Sequence, residues 1–558
     1  MAPGGKVKKS HWLAVGMIGL AFALMVSSAG SKSPTMDEGN HIARGAAFLG
    51  TGDPRLSLEH PTLVNALSAL PGHLLLDLRL PLDIGPWWEA AEWYHFADNF
   101  LWHANDNAEQ IVFLARLPIM GLGLLLMALT FRWASELGGR RAGLLAMTLV
   151  ALDPNILAHA RLSTTDLGGT FFVLLAAYAV WRYAQKAEQG ATSLVAPGVA
   201  LGLAFSAKMS AALFGPLLAL ALVADALLAG PDRARRVLKR LSALAAMAGL
   251  AGLTVWALYG FQTGPIDPGA LTLPAPTYLR GIRAILTKSA SSSPNYLLGE
   301  IKDQGWWYYF IVAALVKTPL PTLGLWTLSW LRRPSRPALF LLLPSALYFL
   351  TMMTSNLNIG YRHLLPVLPL LAIYAGAGVS GQCSVVSNRR HTHHVSRITF
   401  YVLRFTSYVL PLWLALNTLF IYPHFLAFFN AVGGGPDGGW RVLVDSNIDW
   451  GQDLKGLKTY MDAHQIERVK LSWFGSAYPE RYGIAHEPLP GVGFASYFEL
   501  WSDPPFDRAD PEPGMYAISA TNLVGSVFPD HEIYAWFRER EPTDKVGYSI
   551  FIYEVLDK

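Results

Sequence analysis

Long apolar runs, broken by short basic loops and two long polar insertions, set the layout of this chain. The first run covers residues 11–30, behind Lys6, Lys8 and Lys9. A stretch of that length spans a bilayer as a helix. Its end, Ser27-Ser28-Ala29-Gly30, also has the small residues of a signal-peptide cleavage site. The many runs that follow favour an uncleaved helix with a cytoplasmic N-terminus. Residues 31–110 then form a first polar loop, too long for a simple connector. Within it, residues 37–49 have helical periodicity and stop at Gly50-Thr51-Gly52-Asp53-Pro54. A second helix starts near Pro61, a favoured first-turn residue, and runs to about residue 76. Trp87, Trp88, Trp93, Tyr94, Phe96, Phe100 and Trp102 follow at spacings that suit a helix lying in the headgroup region.

Further runs lie at 111–133, 142–157, 167–183, 241–259, 306–331, 338–353, 364–379 and 399–422. Lys208 splits 194–228 into a pair, which brings the expected total to about eleven spans. Arg140, Arg141, Arg182, Lys186, Arg233 to Arg240, Arg332, Arg333, Arg336 and Arg389 to Arg397 fall in alternate loops. The positive-inside rule places those loops in the cytoplasm. The first loop and a second long one, 261–305, then face outward. The second is rich in Pro, Gly and Ser and is expected to be irregular. From residue 423 the character becomes soluble. A helix over 454–464 and strands over 469–474, 515–519 and 548–555 predict a small α/β domain on the outer face. The fold class is therefore mainly α: a polytopic membrane domain, 1–422, with a C-terminal extracytoplasmic domain, 423–558.

Composition agrees. Of 558 residues, 52% are hydrophobic and 15% charged, against about a quarter charged in soluble domains. The net charge of +4 lies mostly in the inner loops, a topology signal rather than a nucleic-acid footprint. A single cysteine, Cys383, excludes an intramolecular disulfide framework and a cysteine metal site. Asp445, Asn447 and Asp449 have the spacing that opens a calcium loop. The EF-hand pattern needs Gly at its sixth position and Glu at its twelfth; Trp450 and Gly456 stand there, so the pattern fails. The histidines near Arg389 and Arg390 belong to a basic inner loop. No cofactor is indicated, and a divalent metal stays open.

Candidate chemistry gathers at the outer ends of the runs: Asp37, Glu38 and His41; Glu59 and His60; Arg116; His159, Arg161 and Asp166; Lys317; Arg362 and His363. Charges at span ends are costly unless used. Asp37 and Glu38 either open a helix, where acids favour the positive end of the dipole, or serve a reaction. A cavity acidic on one side and basic on the other accounts for the set. Cations suit a phosphate, and a carboxylate suits proton removal from a hydroxyl.

Asp37-Glu38 after the first run resembles the Asp-Glu motif of the C superfamily of membrane glycosyltransferases. The nearer likeness is to family 39, the dolichyl-phosphate-mannose–protein mannosyltransferases and their bacterial relatives. Glu59-His60-Pro61-Thr62-Leu63 resembles the His-Pro-Pro-Leu element of their first loop and departs from it at Thr62. Arg161 to Asp166, Gly202 to Met209 with Lys208, and Gly360-Tyr361-Arg362-His363-Leu364-Leu365-Pro366 resemble later family segments. The likeness covers roughly residues 11–422. It implies transfer of mannose or a similar hexose from a membrane-borne polyprenyl-phosphate donor to a hydroxyl of a protein, lipid or glycan. Asp37 would be the base, with Glu38 and Asp166 beside it. Arg362, His363 and Lys317 would bind the phosphate, and Glu59, His60 and Arg161 would support the loop or the acceptor. Direct displacement would invert the anomeric centre, at a cell-membrane site. Trp450 and Trp473 are sugar platforms or core. A transporter or lipid flippase is the rival class; such proteins often show internal repeats, and none is visible here. A structural subunit with an external binding domain is the third reading.

Overall fold

The computed structural model describes residues 4–185, 190–230, 232–291, 294–330, 334–388, 394–491 and 506–557. Lys186, Arg332, Arg333 and the basic run 389–393 lie outside the described residues. The chain is mainly helical, a polytopic membrane protein with a small C-terminal sheet domain. Among the described residues, six helices are long and apolar enough to cross a membrane alone. These are Ser10–Gly30, Ala108–Gly138, Thr165–Gln185, Met209–Leu228, Arg233–Leu258 and Tyr361–Ser380. Two bent pairs raise the total to eight, against the eleven expected. Three further apolar helices, Ala191–Ala207, Arg336–Met352 and Tyr408–Ile421, are shorter.

Both bends have local causes. Arg140–Ala151 and Pro154–Ala160 meet at 65°. There Asp153 caps the second helix, its Oδ1 accepting the Asn155 amide at 2.8 Å. Tyr309–Lys317 and Leu320–Ser329 meet at 108°. Pro319 sits in that break, and proline has no N–H to continue a helical ladder. The expected straight span over 306–331 is therefore two short helices. Lys208 is extended, with φ −155° and ψ 136°, and interrupts the run as expected.

The first polar loop is built, not draped. Helix Glu38–Thr51 ends at Gly52, whose φ of 72° is left-handed. It crosses Thr62–Leu75 so closely that a Cβ on Gly45 would lie 2.0 Å from the Asn65 carbonyl oxygen. The aromatic stretch departs from the headgroup helix expected. Phe96, Phe100 and Trp102 are buried. They pack with Ile42 and Ala46 of the loop and with Leu457 and Trp473 of the sheet domain. Loop and sheet domain thus share one apolar core, and burying an aromatic there is worth a few kcal/mol. The second polar loop is also more ordered than expected. It holds helix Pro276–Ala290 and two short hairpins, Thr263–Pro265 with Thr272–Pro274 and Asn295–Leu297 with Glu300–Lys302.

In the C-terminal domain the sheet runs in the order His486–Pro488, Val469–Ser472, Gly514–Ser519, Ile550–Val555, Asp544–Val546. The first three strands are parallel and the last two pairings antiparallel. Helix Leu454–Ala463 packs beneath, burying Leu454, Leu457 and Met461. The three strands and the helix read from the sequence are present. The two edge strands are three residues long, too short for any alternation to show.

Candidate active site

Asp37 and Glu38 are adjacent in sequence and turn to opposite sides. Asp37 occupies the N-cap position of Glu38–Thr51, yet its side chain makes no capping bond. Its Oδ2 instead accepts from Arg362 Nη1 at 3.1 Å. It borders a cavity of about 590 Å³ that also meets His41, Glu59, His60, Asp166, Lys208, Arg362, His363 and Asp445.

Glu38 faces away and is fully buried. Its oxygens accept Arg116 Nε at 2.8 Å and Nη2 at 2.7 Å. The Ser163 amide at 2.8 Å, the Thr35 amide at 2.9 Å and the Thr35 hydroxyl at 3.2 Å complete the set. Burial alone would raise this carboxyl's pKa, but the Arg116 guanidinium and the hydrogen bonds prevail and hold it below the usual range. A carboxylate so saturated has no lone pair for a substrate. Glu38, expected beside the base, does not border the cavity; its bonds hold the loop. Arg116 extends that bracing to the carbonyls of Ala29, Lys32 and Ser33.

Arg362 is the hub of the cavity. Its Nη1 lies 3.1 Å from Asp37 and 3.9 Å from Asp166 Oδ2, and its guanidinium stacks 4.2 Å from the Trp450 ring. Asp166, in the first turn of Thr165–Gln185, takes Lys208 Nζ at 2.5 Å and the Thr164 hydroxyl at 3.0 Å. His363 lines the same space, and its Nε2 is buried without a hydrogen bond among the described residues.

On the loop side, His41 and His60 meet edge to face at 4.6 Å. His41 Nδ1 is 2.9 Å from Asn65 Oδ1. Burial, aided by Arg44, lowers the His41 pKa to about 4. Burial, with His41 and Arg44 adding, takes His60 well below its usual value. Both rings are therefore neutral at physiological pH and serve as polar walls. Glu59 pairs with Lys288 at 2.8 Å at the cavity rim.

Two further expected site residues lie elsewhere. Lys317 is buried at the helix break, and its ammonium donates to the carbonyls of Leu426 at 2.9 Å and Asn447 at 2.6 Å. It does not border the cavity; the chain reverses there, so the lysine points to the domain junction. Arg161 is wholly buried behind the first loop, with Nη1 3.4 Å from the Ser28 carbonyl. Trp473 is core, and Trp450 joins the cavity wall. Two residues absent from the expected site belong to it. Lys208 had a signal, a lone charge inside an apolar run. Asp445 had the weaker one of an acidic cluster in a soluble segment. Among the described residues no group of three or more His, Cys, Asp or Glu is placed to hold a metal.

A polytopic helical membrane protein, with a sheet domain walling a cavity of carboxylates and cations, is the class these observations define. Residues 107–264 match the family model described as dolichyl-phosphate-mannose-protein mannosyltransferase. Over that segment, which carries Arg116, Asp166 and Lys208, the chain is similar to this family of membrane glycosyltransferases, and the resemblance noted from the sequence is borne out there. The comparison with curated proteins gives no match. Among solved structures, the chain is similar to ArnT from Cupriavidus metallidurans in its apo state. Identity there is 13%, with 98% of each chain covered and a TM-score of 0.49. ArnT bound to undecaprenyl phosphate gives 15% identity, 99% of this chain and 98% of that one, and 0.49. The archaeal oligosaccharyltransferase AglB from Archaeoglobus fulgidus gives 13%, 74% and 56%, and 0.42.

Proposed function

We propose that the chain is an integral-membrane glycosyltransferase that moves a sugar from a polyprenyl-phosphate donor to a hydroxyl acceptor. The observation that carries this reading is the Asp37–Arg362 contact inside the cavity. It couples an uncapped carboxylate to a guanidinium in a space that also holds Lys208. The family match supports a donor of the class of a sugar on a lipid phosphate.

The donor's phosphate takes Arg362 and Lys208, with His363 beside them. Asp37 then loses its partner and accepts the proton of the acceptor hydroxyl. The acceptor oxygen bonds to the anomeric carbon as the bond from that carbon to the phosphate oxygen breaks. The electron pair leaves with the lipid phosphate, whose growing charge the cations stabilise. A single displacement of this kind inverts the anomeric centre. Asp166 holds Lys208 and Arg362 in register, and Glu38 with Arg116 holds the loop that presents Asp37. The site faces outward from the cell membrane, with the N-terminus in the cytoplasm and the sheet domain outside.

The test uses the purified full-length chain in detergent with undecaprenyl-phosphate-linked hexoses and hydroxyl acceptors. Mass spectrometry should detect release of undecaprenyl phosphate together with glycosylated acceptor. Transport of the intact donor across vesicles without cleavage would overturn the reading.

A further inference from the structure

Residues 445–453, Asp-Ser-Asn-Ile-Asp-Trp-Gly-Gln-Asp, open the sheet domain and bind both halves of the cavity. On one side, the Met36 amide donates to the Trp450 carbonyl at 2.9 Å, and Ser33 to the Gln452 carbonyl at 3.0 Å. These bonds fix the segment that delivers Asp37. On the other side, the Tyr361 amide donates to Asn447 Oδ1 at 2.8 Å, and the Ser446 hydroxyl to the Ile359 carbonyl at 2.8 Å. These bonds fix the turn that delivers Arg362.

The segment's three carboxylates have different destinations. Asp453 takes the Lys32 ammonium and the Ser549 hydroxyl, the latter at 2.7 Å. Asp449 Oδ2 accepts the Thr521 amide at 2.9 Å. Asp445 alone of the three borders the cavity. Its backbone is held at φ 58°, a left-handed conformation that Asp tolerates better than most residues. The Asp445 amide donates to the Thr521 hydroxyl at 3.1 Å, which anchors the turn.

Asp445 makes no ion pair among the described residues, unlike Asp37 and Asp166. A carboxylate repels a phosphate, so the part of the donor that meets it must carry hydroxyls. In a polyprenyl-phosphate sugar that part is the sugar, joined directly to the phosphate held by Arg362 and Lys208. An ionised carboxylate accepts from hydroxyls and donates nothing.

We propose that Asp445 is the residue by which the sheet domain grips the transferred sugar, accepting hydrogen bonds from its hydroxyls while Arg362 and Lys208 hold the phosphate. This rests on the transferase reading. It makes the C-terminal domain a wall of the donor site. Burial pushes the Asp445 pKa up to about 6, with Arg362 opposing. Sugar-dependent affinity should therefore rise with pH through about 6 as the carboxylate ionises.

The experiment measures binding of undecaprenyl phosphate and of a panel of undecaprenyl-phosphate hexoses to the full-length chain, with transfer followed in parallel. The variants are Asp445→Asn, which keeps the left-handed preference and the size, and Asp445→Gly, which removes the side chain without backbone strain. Asp445→Ala is avoided because the left-handed backbone would itself be strained. In the wild type at least one hexose donor should bind more tightly than the bare lipid phosphate. That advantage should fall about 10-fold or more in Asp445→Gly, less in Asp445→Asn, and its pH dependence should vanish in both. Affinity for bare undecaprenyl phosphate should stay within about twofold. An undiminished sugar advantage in an active enzyme would overturn the assignment, as would equal loss of both affinities, the mark of a structural role. A wild type that neither favours any hexose donor nor transfers would sink the transferase reading, and this assignment with it.

Discussion

Arg362 Nη1 stands 3.1 Å from Asp37 Oδ2, joining a loop near the N-terminus to a turn 325 residues later. The pair is partly open, with the Asp37 side chain 26% exposed and that of Arg362 11%. Such a pair can exchange partners: under the proposed function, a phosphate arriving at Arg362 would release Asp37 at the moment an acceptor needs a base.

Asp37→Asn keeps the shape and removes the proposed base. Sugar transfer should fall by about 10²- to 10⁴-fold, while undecaprenyl phosphate affinity changes by no more than a few-fold. Single-turnover transfer and lipid binding on the same preparation check this. Glu38→Gln should behave differently. It leaves the Arg116 guanidinium buried without its counter-charge, which costs about 3–5 kcal/mol, so the thermal midpoint should drop along with activity.

The two lysines separate site from scaffold. Lys208→Met removes a cation that lines the cavity, so affinity for undecaprenyl phosphate should fall about 10-fold or more, with affinity for undecaprenol unchanged. Lys317→Met removes a cation bound to two carbonyls outside the cavity. Its effect should be on stability, about 1–3 kcal/mol for each carbonyl left unpaired, with lipid phosphate affinity retained. Equal loss of phosphate affinity in both variants would contradict the placement.

Much of this was legible in the chain. Apolar run length and basic loops gave the membrane class, because the bilayer sets a fixed span. Asp37, Asp166, Arg362 and His363 share one cavity, and each had announced itself as a charge or imidazole at a span end. Lys317 carried the same local signal and lies elsewhere, since the 108° bend at Thr318-Pro319 decides its direction and a linear pattern does not encode it. The division between Asp37 and Glu38 depends on Arg116 and Ser163, partners 78 and 125 residues from Glu38. Phe96, Phe100 and Trp102 looked interfacial because aromatics favour both headgroups and cores. Only the docking of the sheet domain chooses between the two.

His41 gives the first loop a pH dependence. Its folded pKa is about 4, against about 6.5 unfolded. Between those values the unfolded chain binds a proton that the folded chain does not, so stability falls as pH drops from 6.5 toward 4. The full difference corresponds to about 3 kcal/mol. His60, lowered by the same burial, acts in the same direction. Asp445 and Asp449, raised by burial to about 6 and about 7, act in the opposite one. The comparison must therefore be with a variant. Between pH 7 and pH 5 the thermal midpoint of the wild type should fall further than that of His41→Gln. Parallel curves would show that His41 is not buried neutral.

The Lys32–Asp453 pair tests whether the sheet domain holds the site together. Lys32 follows the first membrane helix, and Asp453 ends the segment whose carbonyls fix Ser33 and Met36. Both side chains are almost fully buried, and His424 Nδ1 lies 2.6 Å from Lys32 Nζ. Asp453 also accepts Gln452 Nε2 at 3.0 Å. Gly547 packs against it so closely that a Cβ there would come within 2.4 Å of the carboxylate. Removing one partner leaves the other charge buried, so Asp453→Leu should lose about 3–5 kcal/mol, whereas an apolar pair of similar volume can match a buried ion pair. Lys32→Met combined with Asp453→Leu should recover most of the thermal midpoint lost by Asp453→Leu alone. Transfer should follow the same order, because the segment that presents Asp37 is fixed through the carbonyls of residues 450 and 452. If Asp453→Leu unfolds at the wild-type temperature and transfers at the wild-type rate, the joint does not position Asp37.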